Sequence, residues 1–200
     1  MQNRGYNVLE FFCKEFKIFI DTCSLLDDKA YIFLKNIKPC LKANNNQIII
    51  SLKVIEELEK HSKNSEPNKE ELAKNAIKML DEILPNLQDE GLIKIHGEKN
   101  DPFADAVFHY VFEKFRIQHK LLLITQDNKL AKEILSKNEN ESVKGHKIFV
   151  RRIDPKNGFL AKFNFEAQEC KKVEPTTILK TDCTPPLTIS KSCRLKSALM

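Results

Sequence analysis

Glycine is scarce in this sequence of 200 residues. The five glycines fall in neither a G-x-G-x-x-G nor a phosphate-loop spacing: Gly5, Gly91, Gly97, Gly145 and Gly158. Glycine-rich turns of those kinds let backbone amides close around a nucleotide phosphate. Nucleotide binding through a glycine-rich loop is therefore unsupported.

Paired cysteines and long apolar runs are also missing. The six cysteines form no C-x-x-C pair and have no zinc-finger spacing. Charged residues at Glu10, Lys14 and Glu15 interrupt the only early apolar run, so we expect no signal peptide and a cytoplasmic protein with reduced thiols. No apolar stretch approaches the roughly 20 residues of a membrane span, so no membrane association is expected.

The composition is that of a globular protein, with 42% hydrophobic and 30% charged residues. The formal net charge of +5 arises mostly in residues 171–200, which hold six basic and two acidic side chains. We expect one domain over 1–170, with a helical excursion at about 61–91. Residues 171–200, rich in Pro, Thr, Ser and Lys, are expected to be a flexible, disordered basic tail.

Five short apolar runs predict strands buried on both faces of a sheet. They lie at residues 18–20, 47–51, 92–96, 121–125 and 147–153. Amphipathic patterns between them predict helices, one of which begins near Ala30 and is kinked or ended by Pro39. Alternating strands and helices indicate an α/β fold, a doubly wound, mainly parallel five-stranded sheet flanked by helices.

Acidic residues follow four consecutive predicted strands. Asp21 follows the first strand, Glu57 lies in the helix after the second, and Asp127 follows the fourth. The segment after the third strand carries both Asp101 and Asp105. Carboxyl ends of parallel strands meet at one edge of a sheet, where ligands bind. Asp101 or Asp127 taken alone is most simply a helix N-cap.

An acidic cluster of this kind needs a counter-charge. Unpaired carboxylates would repel one another, and some would take up a proton. Hard divalent ions such as Mg²⁺ or Mn²⁺ prefer carboxylate oxygen and water. Because no His or Cys converges on these positions in the sequence, the pattern favours Mg²⁺ or Mn²⁺ over zinc.

The segments IDTCSLL, VIEEL, ADAVF and LLLITQD, in that order, resemble the PIN-domain nuclease family, named for the PilT N-terminus. The resemblance covers roughly residues 17–153. It places Asp21, Glu57, Asp105 and Asp127 on the family's four acidic positions. The accompanying hydroxyl positions fall on Thr22 and Thr125, while Ser24 and Asp101 are supporting candidates.

This resemblance implies a metal-dependent endonuclease that hydrolyses phosphodiester bonds of single-stranded or structured RNA. It makes Asp21 the central ligand of Mg²⁺ or Mn²⁺, with Asp105 and Asp127 completing the site and Glu57 binding a second ion or orienting water. Thr22, Ser24 and Thr125 are expected to hydrogen-bond a carboxylate or the phosphate. RNA is the expected substrate, and the products would carry a 5′-phosphate and a 3′-hydroxyl.

Alternative functions remain open. A phosphatase of the haloacid dehalogenase type would need a second Asp two residues after Asp21, where this sequence has Cys23, which we expect to be a small packing residue. A catalytically inactive PIN-like module for RNA binding or protein interaction is the main alternative. An active enzyme could be a toxin held by an antitoxin protein or an RNA-processing enzyme, and a homodimer is a further possible assembly. We assign no role to the five histidines.

Overall fold

A mostly parallel sheet forms the centre of the fold. The structure is a computed structural model, and it describes residues 4–64, 66–97, 104–140 and 144–165. Within these residues the strands are β1 (Lys17–Ile20), β2 (Ile48–Ser51), β3 (Ile93–His96), β4 (Leu121–Ile124), β5 (Phe149–Ile153) and β6 (Leu160–Ala161). Their order across the sheet is β3-β2-β1-β4-β5-β6. The predicted α/β class is confirmed.

The strand order reverses beside β1. The chain runs outward from β1 through β2 to β3 and then returns to place β4 against the other edge of β1, where Ile20 is the register partner of Ile124. Strands β1 to β5 run parallel, so the residues that follow β1 and β4 emerge side by side. A doubly wound sheet places its ligand site at this kind of switch point.

Helices cover both faces of the sheet. They are α1 (Arg4–Glu15), α2 (Thr22–Leu25), α3 (Ala30–Ala43), α4 (Leu52–Ser62), α5 (Glu70–Lys78), α6 (Leu84–Asp89), α7 (Ala104–Phe115) and α8 (Asn128–Ser136). Phe19 of β1 packs on Phe112 of α7, with ring centroids 5.2 Å apart. On the opposite face, Phe149 of β5 contacts Phe12 and Phe16, in α1 and just after it. Side chains that alternate along each strand therefore enter two apolar layers.

Three features of the fold differ from the prediction. The sheet has a sixth strand, β6, which is only two residues long and pairs antiparallel with β5. Helix α1 precedes the first strand and buries Leu9, Phe12 and Cys13. Pro39 lies inside α3, which continues to Ala43. Of the two outcomes expected for Pro39, a kink or the end of the helix, the end of the helix is therefore wrong.

Residues 67–89 are helical throughout. A 3₁₀ turn at Pro67–Lys69 leads into α5, and a π-helical segment at Met79–Ile83 joins α5 to α6. None of the described helices is long and apolar enough to cross a membrane. The predicted tail at 171–200 and the predicted site residue Asp101 lie outside the described residues.

Candidate functional site

Asp21 is a buried carboxylate fixed at the carboxyl end of β1. Its backbone N–H donates to the carbonyl of Ile124 across the strand pair (2.9 Å), which continues the ladder one residue beyond the strand. The residue then caps the N-terminus of α2, where its Oδ1 accepts from the backbone N–H of Thr22 at 2.7 Å. Only 5% of its surface is exposed. The turn from strand to helix therefore holds this charge in a defined position.

The second oxygen of Asp21 is held by side chains from two elements. Thr125 Oγ1, which follows β4, donates to Asp21 Oδ2 at 3.0 Å. Cys23 Sγ donates to the same oxygen at 2.7 Å and accepts from the backbone N–H of Gln126 at 3.2 Å. These hydrogen bonds connect the end of β1 with the end of β4, so the buried carboxylate is part of a network rather than an isolated charge.

Cys23 acts as a hydrogen-bond donor as well as the packing residue expected from the sequence. Burial raises the pKa of its thiol to about 12, and the negative charge of Asp21 adds to this shift. The thiol therefore stays protonated at neutral pH. In that state it can donate to the carboxylate, whereas a thiolate would repel it.

Asp127 caps helix α8 next to this network. Its Oδ1 accepts from the backbone N–H groups of Lys129 (2.6 Å) and Leu130 (3.1 Å). Its own N–H donates to Thr125 Oγ1 at 3.0 Å, so Thr125 links Asp127 to Asp21. The residue is exposed, and both capping bonds use the same oxygen, so Oδ2 is not engaged by the cap.

Glu57 reaches the site from α4, which begins directly after β2. Its Oε2 accepts from Thr22 Oγ1 at 2.5 Å, and its side chain is half-buried. The neighbouring Glu56 is instead paired with Lys53 at 2.7 Å, and Glu59 is exposed. Of the three glutamates in this helix, Glu57 is therefore the one that contacts the end of β1.

These side chains line one open cleft of about 730 Å³, which we call the acidic cleft. Its lining residues are Asp21, Thr22, Cys23, Leu26, Asp27, Asp28, Glu57, His61, Leu72 and Asp127. Three of the four predicted catalytic acids thus share one cleft: Asp21, Glu57 and Asp127. The backbone of the fourth, Asp105, lies in the first turn of α7, and its side chain is outside the described part of the structure.

Ser24 has a different environment from the other predicted hydroxyl residues. It is fully buried, and its Oγ has no hydrogen-bond partner among the described residues. By contrast, Thr22 contacts Glu57, and Thr125 contacts both Asp21 and Asp127.

The acidic cleft has the donor chemistry of a hard divalent cation. Its carboxylate and hydroxyl oxygens are the ligand types that Mg²⁺ and Mn²⁺ prefer. Within the described residues, no three His, Cys, Asp or Glu side chains are grouped closely enough to hold an ion. The oxygen-rich lining matches such an ion by ligand type. Asp21, Glu57 and Asp127 are its candidate ligands among the described residues, although these three are not grouped closely enough to complete a site by themselves.

Two acids on the turn between α2 and α3, Asp27 and Asp28, were not predicted from the sequence. Asp27 Oδ2 accepts from Gln126 Nε2 at 3.0 Å, and Asp28 Oδ1 lies 3.5 Å from Asn75 Nδ2 of α5. Both acids line the acidic cleft. In the sequence they appear only as an adjacent pair of aspartates shortly after IDTCSLL. Whether their side chains reach the cleft depends on the conformation of the turn between α2 and α3, which the sequence pattern does not predict.

Comparison with protein families supports the resemblance. A model of the PIN-domain family matches residues 18–150, which is most of the chain and includes every element that contributes to the acidic cleft. A comparison with curated proteins gives no match. The chain belongs to the PIN-domain family.

Proposed function

We propose that this protein is a metal-dependent endoribonuclease whose active site is the acidic cleft. PIN domains are generally nucleases that use divalent metal ions, and they typically act on RNA. The observation that carries the proposal is the convergence of Asp21, Glu57 and Asp127, from three separate segments of the chain, on one cleft at the switch point of the sheet.

The contacts around Asp21 support a role as the central ligand. Hydrogen bonds from Thr22, Cys23 and Thr125 hold both of its oxygens and stabilise its ionised form. A ligand fixed in this way loses little conformational freedom on binding an ion. A bound divalent ion would supply Lewis-acid stabilisation of the charge on a phosphodiester and activate water for hydrolysis.

The other acids have separable tasks in this proposal. Asp127 would use Oδ2, the oxygen that its cap leaves free, as a ligand. Glu57, held by Thr22, would bind a second ion or orient the attacking water. Asp105 is assigned to the remaining acidic position by its place in the family pattern and at the start of α7.

Cleavage of a panel of single-stranded and structured RNAs tests the proposal. We expect the wild type to cut at least one RNA with Mn²⁺, leaving 5′-phosphate and 3′-hydroxyl ends, and to lose this activity with a chelator or on Asp21→Asn. The exposed Asp89 at the end of α6 lies outside the cleft, so Asp89→Asn is a matched control that should cut at the wild-type rate. Equal cutting by Asp21→Asn and wild type would refute the proposal.

A catalytically inactive PIN-like module that binds RNA or another protein is the second candidate function. Such a module would keep the fold and the family match but lack the metal-dependent chemistry. Saturable RNA binding without cleavage across the panel would support it.

The cellular role is a further part of the proposal. We infer action on cytoplasmic RNA, either as a toxin controlled by an antitoxin protein or as an RNA-processing enzyme. A neighbouring gene for a small antitoxin would favour the toxin. Mass measurement in solution would test for a homodimer.

A further inference from the structure

Among the described residues that line the acidic cleft, one side chain is basic. Its described lining includes five carboxylates, from Asp21, Asp27, Asp28, Glu57 and Asp127, and a single basic group, the imidazole of His61. A polyanionic substrate entering such a cleft is repelled even after an ion offsets part of the charge. Because His61 carries the only basic side chain in this described lining, it is the residue best suited to bind a phosphate there.

The position of His61 directs it to the same wall of the cleft as Glu57. Both residues lie in α4, four positions apart, so their side chains project from one face of the helix on consecutive turns. Leu72 of α5 and Asp28 of the turn between α2 and α3 also line the cleft. His61 therefore lines the cleft one helical turn beyond Glu57, and Glu57 in turn contacts Thr22 at the end of β1.

Two other histidines of the described chain, His109 and His119, have ring contacts that His61 lacks. The His109 ring lies 3.0 Å from a Glu133 oxygen, and His119 stacks on Phe115 with centroids 6.4 Å apart. The half-buried His61 ring makes no hydrogen bond, ion pair or ring contact with any described residue. Its N–H is available to a ligand, since imidazole donates one N–H when neutral and two when protonated.

We propose that His61 is a substrate-binding residue that donates a hydrogen bond to a phosphate of the RNA next to the scissile phosphate. This inference rests on the proposed nuclease function and adds a specific contact to it. It assigns His61 to holding the strand, whereas Asp21, Glu57 and Asp127 carry the metal-dependent chemistry.

RNA binding without cleavage tests this role. The probe is a fluorescein-labelled single-stranded RNA of 12 nucleotides, with affinity measured by anisotropy in the Asp21→Asn background. Adding His61→Ala should weaken binding about tenfold, the loss typical of one charge-assisted hydrogen bond. Adding His61→Arg should keep the affinity within about threefold, because guanidinium also donates to phosphate. Unchanged affinity in the His61→Ala variant would overturn the proposal.

His119→Gln is the matched control for this experiment. His119 precedes β4 near the amino ends of the strands, at the edge of the sheet opposite the acidic cleft, and it does not line the cleft. The protein that carries His119→Gln and Asp21→Asn should bind the RNA with the same affinity as the Asp21→Asn background variant. A similar loss in both histidine variants would show a general effect and overturn the proposal.

Steady-state cleavage separates this inference from the proposed function. In the otherwise wild-type protein, His61→Ala should raise KM about tenfold and leave kcat nearly unchanged. A fall in kcat with unchanged KM would assign His61 to the chemistry or to an ion and overturn the binding role. If the wild type cleaves RNA but His61→Ala has a normal KM, only the His61 inference fails. If the wild type cleaves no RNA, the nuclease proposal itself fails.

Discussion

At the scale of single residues, the central feature is a carboxylate that the fold buries and then surrounds with donors. An isolated buried charge costs several kcal/mol by rough estimate, and hydrogen bonds to both oxygens offset that cost. Asp21 receives such bonds from Thr22, Cys23 and Thr125. The network explains how a strand as apolar as KIFI can end in an acid.

Thr125 is the residue whose removal should disturb this network most. Thr125→Val keeps the shape of the side chain but removes the hydroxyl that donates to Asp21 and accepts from the Asp127 N–H. We expect a loss of about 1–3 kcal/mol in the free energy of unfolding, because buried polar groups lose their partners. Urea denaturation measures this change.

Thr125→Ser is the control for that substitution, since it keeps the hydroxyl and removes one methyl group. We expect it to cost about 1 kcal/mol or less and to retain RNA cleavage. Equal stability of the Val variant and the wild type would show that the hydroxyl has no structural role.

Two buried thiols predict a loss of stability at alkaline pH. Burial raises the pKa of both Cys13 and Cys23 to about 12, with added effects from Cys40 and Asp21 respectively. The unfolded chain releases these protons near pH 9, whereas the folded chain keeps them. The unfolded state then binds fewer protons, so the free energy of unfolding falls as pH rises from about 9 towards 12.

Urea denaturation at pH 7.5 and pH 10 checks this pH dependence. Other groups also titrate in this range, so the informative quantity is the difference between the wild type and a Cys13→Ala, Cys23→Ala double variant. The double variant should lose less stability between the two pH values. An identical loss in both proteins would contradict the prediction.

At the scale of elements, the site is assembled from strand ends that turn directly into helices. Asp21 caps α2, Ser51 caps α4 and Asp127 caps α8. The prediction that Asp127 is a helix N-cap is thus confirmed. It does not exclude a catalytic role, because the cap uses only one oxygen of the carboxylate.

Substitutions of Asp127 separate capping from catalysis. Asp127→Asn keeps an oxygen that can cap α8 but removes the charge, so we expect near wild-type stability with a large loss of RNA cleavage. Asp127→Ala should lose cleavage and also about 1 kcal/mol of stability. Thermal denaturation and initial cleavage rates provide the two readouts, and full activity in the Asn variant would limit Asp127 to capping.

The elements that the sequence predicted poorly have physical explanations. Helix α1 buries Leu9, Phe12 and Cys13, which have a helical spacing of three and one. Charged residues interrupt the apolar run in this segment, so the amphipathic pattern is weak in the sequence. Strand β6 is too short to show any periodicity. Pro39 lies inside α3 because the buried face of that helix, which includes Phe33, Ile37 and Leu41, offsets the missing backbone hydrogen bond.

At the scale of the whole molecule, chain topology explains why the sequence could predict that three acids of the candidate site lie in one cleft. Each crossover of a parallel sheet returns the chain to the same edge, so acids that follow successive strands must gather there. Asp21, Glu57 and Asp127 are brought together in this way. The family match over residues 18–150 covers the segments that carry these acids.

The remaining part of the cleft depends on contacts that sequence spacing does not encode. Asp27 and Asp28 enter it because the turn between α2 and α3 folds back over the strand ends, and His61 enters because α4 continues along the cleft towards α5. The hydrogen bond from Cys23 depends on its position between two strand ends. These are products of packing between segments distant in the sequence.

We propose that the acidic cleft performs metal-dependent hydrolysis of RNA. The most direct measurement is the initial rate of cleavage of one RNA substrate by wild-type and Asp21→Asn protein, each treated with chelator and then resupplied with Mn²⁺. We predict that chelation stops the wild type, that Mn²⁺ restores it, and that the Asn variant stays inactive throughout. Cleavage by the wild type that persists in chelator, or cleavage by Asp21→Asn at the wild-type rate, would contradict metal-dependent catalysis at the acidic cleft.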